Sequence, residues 1–411
     1  MRAVHSSLFV ICLVLTETSA RNGFGPTDQD WGYVQVRSES HMFWWLHYAT
    51  INNATEITRP LVVWLQGGPG GSSAGQGNFM ASGPVDLDLK PRSWAWTNRY
   101  NMLYVDSPIG AGFSYTTNNG FAKNSSMIAS DFVELMRGFL KEHPEFETVP
   151  LFIHGESYGG KSAVYVTQAL LKAQKDKKIN INLQGMSLVY PAVASIASME
   201  HLGTRLFYMG AVDQQERDEF NEVGKQITEA YSSGDIDKAN LLTDQLLDRA
   251  IFNQSLSTHA VTDNDIYGTL NQFEKLNELM NSQVGPALNI ATDFGAQKPL
   301  VPQSLTDLSI QCIDIVEEIL NTSTLKVFVY GGQVDWLVSA HETFLWVKDL
   351  NWSGKKNFAK AMRKTIVVNG VHEGYEKVTE RLGFFWINRA GHQLPGDNPN
   401  AMTYATEKLF G

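Results

Sequence analysis

Six short apolar runs, at 61–65, 102–105, 151–154, 188–190, 327–330 and 382–387, recur along this chain. Helical patterns lie between several of them, as at 127–140 and 161–172. A strand with no polar side must be covered on both faces, and strands separated by helices run parallel. The expected class is therefore α/β, with a mostly parallel central sheet and helices on both faces. Between about 200 and 290 the pattern changes. Phe220, Val223, Ile227 and Tyr231 recur at helical spacing, and Leu242, Leu246 and Ala250 repeat it after the break at Ser232-Ser233-Gly234. No strand-like run separates them, so a helical cap inserted over the sheet is expected there.

The first twenty residues have the make-up of a secretory signal: Arg2, an apolar run at 8–15, and Thr18-Ser19-Ala20 for cleavage. Residues 21–411 would then form the folded domain. No apolar run is long enough to span a bilayer. Five Asn-x-Ser/Thr sequons, at Asn53, Asn124, Asn253, Asn321 and Asn351, fit a glycoprotein of the secretory pathway. Net charge is −10 and the one lysine cluster, Lys172, Lys175, Lys177 and Lys178, ends a helical pattern as a solvated face. Nucleic acid is thus not an expected partner. Of two cysteines, Cys12 leaves with the signal. Cys312 remains as a small buried residue, and no disulfide can form within one mature chain.

Gly155-Glu156-Ser157-Tyr158-Gly159 fits G-x-S-x-G, with a strand-like run before it and a helical pattern from Lys161. That context puts Ser157 on a tight strand-to-helix turn with its hydroxyl exposed. A serine needs a histidine as base and a carboxylate to orient it, and here both are sought in loops after later strands. Asp335 follows the run 327–330 and the turn Gly331-Gly332-Gln333. His392 follows the run 382–387. His341 lies too close to Asp335 for the next loop, and His372 precedes the last strand. The run 61–65 breaks into Gly67-Gly68-Pro69-Gly70-Gly71. A loop almost without side chains can bring a backbone N–H against a tetrahedral oxyanion, with the N–H of Tyr158 as second donor. No Gly-Lys-Ser/Thr follows, against a phosphate loop, and His372-Glu373 lacks the second histidine of a zinc peptidase. No metal or cofactor is expected.

Several stretches together resemble the serine carboxypeptidases of the α/β-hydrolase type, and within them the retinoid-inducible branch. They are Met42-Phe43-Trp44-Trp45, the stretch 64–73, Gly110-Ala111-Gly112-Phe113-Ser114-Tyr115, Glu156-Ser157-Tyr158-Gly159-Gly160-Lys161, Gly332-Gln333-Val334-Asp335 and Ala390-Gly391-His392. The resemblance implies a triad of Ser157, Asp335 and His392, an oxyanion hole from Gly68 and Tyr158, and a grip on the substrate's C-terminal carboxylate by Gln66, Gly67 and Glu156. Three departures accompany it. Ala81 stands where a second glutamate is usual, Tyr190-Pro191-Ala192 replaces a Gly-Asn or Gly-Asp turn, and the family's disulfides are absent.

The expected function is a serine-type carboxypeptidase that acts on peptides through an acyl-enzyme at acid pH, secreted or lysosomal. Apart from peptide substrate, a second copy of the chain is the one partner allowed for. The alternatives are an esterase or acyltransferase with the same triad, or a binding homologue with a vestigial grip.

Overall fold

The computed structural model describes residues 23–194, 199–252 and 268–411. Thirteen strands lie among them: β1 (Gln29–Arg37), β2 (Ser40–His47), β3 (Thr50–Ile51), β4 (Ala54–Thr55), β5 (Leu61–Leu65), β6 (Asn101–Val105), β7 (Tyr115–Thr116), β8 (Pro150–Glu156), β9 (Asn182–Val189), β10 (Lys326–Gly332), β11 (Lys364–Val368), β12 (Val371–Val378) and β13 (Leu382–Ile387). The main sheet runs β1-β2-β6-β5-β8-β9-β10-β13-β12-β11, with β7 on β2; β3 and β4 make a separate hairpin. The six strands from β6 to β13 are parallel, and antiparallel strands flank them on both sides. This is the α/β-hydrolase fold.

The apolar runs divide by parity. In β5, Leu61, Val63 and Leu65 join one core, while Val62 and Trp64 face the other. The first core is closed by the helices Ser125–Glu142, Tyr158–Lys175 and Ile313–Thr322, which contribute Phe132, Val164 and Val316. The second is closed by the helices Ser73–Ser82 and Pro399–Phe410, through Phe79, Met402 and Phe410. Burial on both faces is why no polar alternation marks these strands. The outer strands differ. β1, β11 and β12, with patterns such as VHEGYEKV, are partly exposed and carry no long apolar run.

Helices Leu202–Tyr208, Gln214–Ser232 and Ile236–Phe252 follow the sheet's fourth parallel strand. They share a smaller apolar cluster of Leu202, Leu206, Phe220, Ile227 and Leu246. The helix Gln214–Ser232 opens with a capping box between Asp213 and Glu216. The loop after β10 also reaches this cluster: Trp336, 1% exposed, is buried in it and Leu337 packs against it. Cys312 is fully buried in the first core.

Candidate active site

The parallel strands aim their C-terminal ends at one edge, the usual place for ligands in open α/β sheets. Ser157 comes directly after β8. It takes φ 55°, ψ −122°, a backbone conformation that costs an L residue roughly 1–3 kcal/mol. Three hydrogen bonds hold it there: Ser157 N–H donates to Val189 O at 3.0 Å, and Ser157 O accepts from Gly160 N (2.9 Å) and Ala192 N (3.0 Å). The turn can be this tight only because Gly159 lacks a side chain; a Cβ there would meet Leu65 O at 2.1 Å.

Asp335 lies three residues past β10, and His392 five past β13. His392 Nδ1 and Asp335 Oδ2 are 2.8 Å apart. Asp335 Oδ1 accepts from the N–H groups of Leu337 and Val338, both at 2.9 Å. A carboxylate used in this way is an acceptor throughout, so Nδ1 of His392 carries the proton and Nε2 is left to accept one. The Asp335 side chain is fully buried and that of His392 is 19% exposed. The rival histidines stand apart. His341 is exposed at the start of the helix Ala340–Asp349. His372 is on β12, with Nε2 3.0 Å from Gly374 O.

Tyr190 joins the serine turn to the histidine. Its ring lies on that of His392, centroids 4.2 Å apart and 34° between planes. Its backbone takes φ 34° at the first position of the segment that stands where the resemblance has a Gly-Asn or Gly-Asp turn, and is held by donation to Tyr330 O at 2.7 Å. Its phenol faces Glu156; burial, reinforced by the negative charge of Glu156, pushes the phenol well above its usual range.

The glycine loop passes directly against the serine. A Cβ on Gly67 would lie 2.7 Å from Ser157 Cβ and 3.3 Å from its Oγ. Gln66 beside it is fixed at both ends of its amide: Oε1 accepts from Trp64 Nε1 at 2.8 Å, and Nε2 donates to Glu156 Oε2 at 3.1 Å. Glu156 is 3% exposed. Burial pushes its carboxyl up to about 7; bonds from Tyr190 and Gln66 and the charge of His392 oppose this, and Asp397 reinforces it. Ala81 is buried at the end of the helix Ser73–Ser82, among apolar neighbours.

Two carboxylates here have no counterpart in the sequence reading. Asp397 accepts from Gly391 N at 2.7 Å, bracing the histidine loop. Asp106, wholly buried, accepts from Ser72 Oγ (2.7 Å), Ala74 N (3.0 Å) and Phe113 N (2.9 Å), and so ties down the exit of the glycine loop. Burial raises its carboxyl to about 6 against these three donors. Asp397 could have been sought from its place just beyond His392, and Asp106 from its place just before the Gly110–Tyr115 stretch. Neither has a motif that names its bond. Among the described residues, no His, Cys, Asp and Glu cluster could hold a metal ion.

Comparison with known proteins gives a consistent result. A profile of the serine carboxypeptidase family matches residues 22–410. The retinoid-inducible serine carboxypeptidases of Mus musculus and Homo sapiens are each 34% identical to the chain. The mouse alignment covers 89% of this chain and 88% of the relative, and the human one 90% of each. A prohormone-processing carboxypeptidase of Saccharomyces cerevisiae has the same fold, with a TM-score of 0.77 at 19% identity over 93% of this chain and 92% of its own.

The Asp335–His392 contact predicts the outcome of Asp335→Asn. An amide would hold the imidazole in the wrong tautomer and leave its cation unsupported, so kcat should fall by about 10⁴ with little change in KM. Steady-state kinetics beside a melting curve check this. Wild-type turnover in a folded variant would remove Asp335 from the mechanism.

Proposed function

This chain belongs to the serine carboxypeptidase family and is a serine-type carboxypeptidase, and we propose that it releases C-terminal residues from peptides through an acyl-enzyme on Ser157. The observation that carries the reading is a strained, hydroxyl-bearing Ser157 and an oriented Asp335–His392 pair joined to one segment, since Ser157 N–H bonds Val189 O and the Tyr190 ring lies on His392. In this account Ser157 Oγ attacks the scissile carbonyl and His392 Nε2 takes its proton. Asp335 stabilises the imidazolium that results, which then protonates the leaving amine. The N–H groups of Gly68 and Tyr158 hold the oxyanion, the latter at the start of a helix whose dipole favours negative charge. Water repeats the sequence on the acyl-enzyme, with His392 as base. The helices at 202–252 and 268–279 act as a cap beside this edge, and Trp336, buried in the core of the helices at 202–252, supports that reading.

The substrate's terminal carboxylate is assigned to Gln66, Gly67 and Glu156. Glu156 is suited to it because of its raised pKa. Below about pH 7 it is protonated and can donate to a carboxylate; above, it is an anion that repels one. Binding of a free C-terminus therefore strengthens as pH falls, which makes this an acid-acting enzyme. With Ala81 in place of a second acid, Glu156 carries that pH dependence.

A place in the secretory or lysosomal system is part of the same proposal. The sequons at Asn53, Asn124, Asn321 and Asn351 are all exposed; Asn253 and the signal at 1–20 lie outside the described residues. No described helix is long and apolar enough to cross a membrane.

Paired peptides that end in a free acid or an amide test the exopeptidase assignment. The kcat/KM ratio of acid over amide should fall about tenfold or more from about pH 5 to about pH 8, the scale of one hydrogen bond to a charged group. Glu156→Gln, neutral at every pH, should flatten that dependence. A wild-type ratio near one at all pH values would mean that the terminal carboxylate is not recognised. Protein expressed in its native cell type should lose mass on enzymatic removal of N-linked glycans; an unchanged mass would count against the secretory assignment.

A further inference from the structure

The loop that carries Asp335 is held from outside the sheet. It leaves β10 at Gly332 and returns at the helix Ala340–Asp349. Asp335 turns inward to His392, while the next side chain, Trp336, is buried in the apolar cluster of the helices 202–252, against Leu202, Leu206 and Phe220. Adjacent residues in one loop are thus committed to two different cores.

Arg205, on the helix Leu202–Tyr208, spans this loop. Its Nε donates to Trp336 O at 3.1 Å. Its Nη1 donates to Glu342 Oε1 at 2.5 Å, in the first turn of the helix that closes the loop. Both side chains are largely buried, 13% and 7% exposed. A guanidinium suits the task because it is planar and permanently charged, and offers fixed donors in two directions. A buried ion pair of this kind is weak evidence for stability, since an apolar pair of similar volume often does as well. Its position, spanning both ends of the aspartate loop, gives a more specific reason for it.

We propose that Arg205 is a positioning residue: by clamping Trp336 O and Glu342 it sets the Asp335 carboxylate for His392 and makes the reaction dependent on the seating of the helical region. The proposal rests on the triad reading above. The pair it acts on also faces Glu156 from β8, Tyr190 from the end of β9 and Asp397 from the short helix Leu394–Asp397, and Arg205 itself is balanced by Glu342. Arg205 and Asp335 attract each other, so the clamp has an electrostatic consequence as well as a mechanical one. Removing the guanidinium leaves the imidazolium of His392 less opposed, which raises its pKa. Neutralising Glu342 leaves the guanidinium less balanced, which lowers it.

The test follows the rate of Ser157 labelling by a fluorophosphonate as a function of pH. The probe has no carboxylate and does not need the C-terminal grip. Arg205→Met should slow labelling at least tenfold at its optimum and move the acidic limb upward by roughly half a pH unit. Glu342→Gln should move the limb the other way. Arg205→Lys, which keeps the charge and one contact, should keep the limb where it is and recover part of the rate. If Arg205→Met and Glu342→Gln leave both rate and limb unchanged, or lower only the melting temperature, Arg205 merely packs the cap and the proposal fails. Should Arg205→Met not fold, the opposite shift in Glu342→Gln and the rate of Arg205→Lys decide the question. Failure of the triad reading would look different: wild-type protein would not be labelled at Ser157 at all.

Discussion

The hydrogen bond between Asp335 and His392 is the constraint around which this molecule is arranged. It joins two loops 57 residues apart in sequence, and it requires β10 and β13 to be parallel neighbours that end at the same edge. Their register, Val327 beside Leu382 through Gly332 beside Ile387, meets that requirement. The serine turn has to reach the same edge from β8, two strands away across β9. Tyr190 bridges the gap, with its backbone anchored on β10 and its ring on His392. Without that bond the imidazole would be free to rotate or exchange its tautomer, and the strained backbone of Ser157 would have no purpose.

Around that pair the carboxyl groups divide by environment. Asp335 is buried, with contacts to two N–H groups and an imidazole. Glu156 is buried with a phenol and an amide, and its carboxyl is pushed to about 7. Asp106 is buried among hydrogen-bond donors with no cation, and burial lifts its carboxyl to about 6. A carboxylate that orients the imidazole and a carboxyl that holds a proton near neutrality are complementary parts of the proposed acyl transfer at a free C-terminus. The helices at 202–252 reach the same region, because Trp336 is buried among them and Arg205 bonds the aspartate loop at Trp336 O.

What could be read from the sequence follows from how local each cause is. The inner strands are legible because burial on both faces leaves an unbroken apolar run such as LVVWL. β12, VHEGYEKV, is not, because half of it meets solvent and its partners are set by tertiary pairing. The helix Ser73–Ser82, SAGQGNFMAS, has two glycines and no apolar period. It is held instead by Ser72 at its start and by packing of Gly77 against Trp64. The contact of Asp335 with His392 is legible from loop order after strands. Asp106, Asp397 and Arg205 are not, since each acts through a backbone group or partner remote in sequence. The signal at 1–20 and the sequon at Asn253 lie outside the described residues.

The central claim is that Ser157 is the nucleophile that His392 and Asp335 activate. The most direct measurement is mass-spectrometric mapping of a fluorophosphonate adduct on the mature protein. The account predicts one adduct, on the peptide that contains Ser157, absent from Ser157→Ala while that variant keeps the wild-type melting temperature. An adduct on another serine, or none on a folded and peptide-cleaving protein, would contradict it.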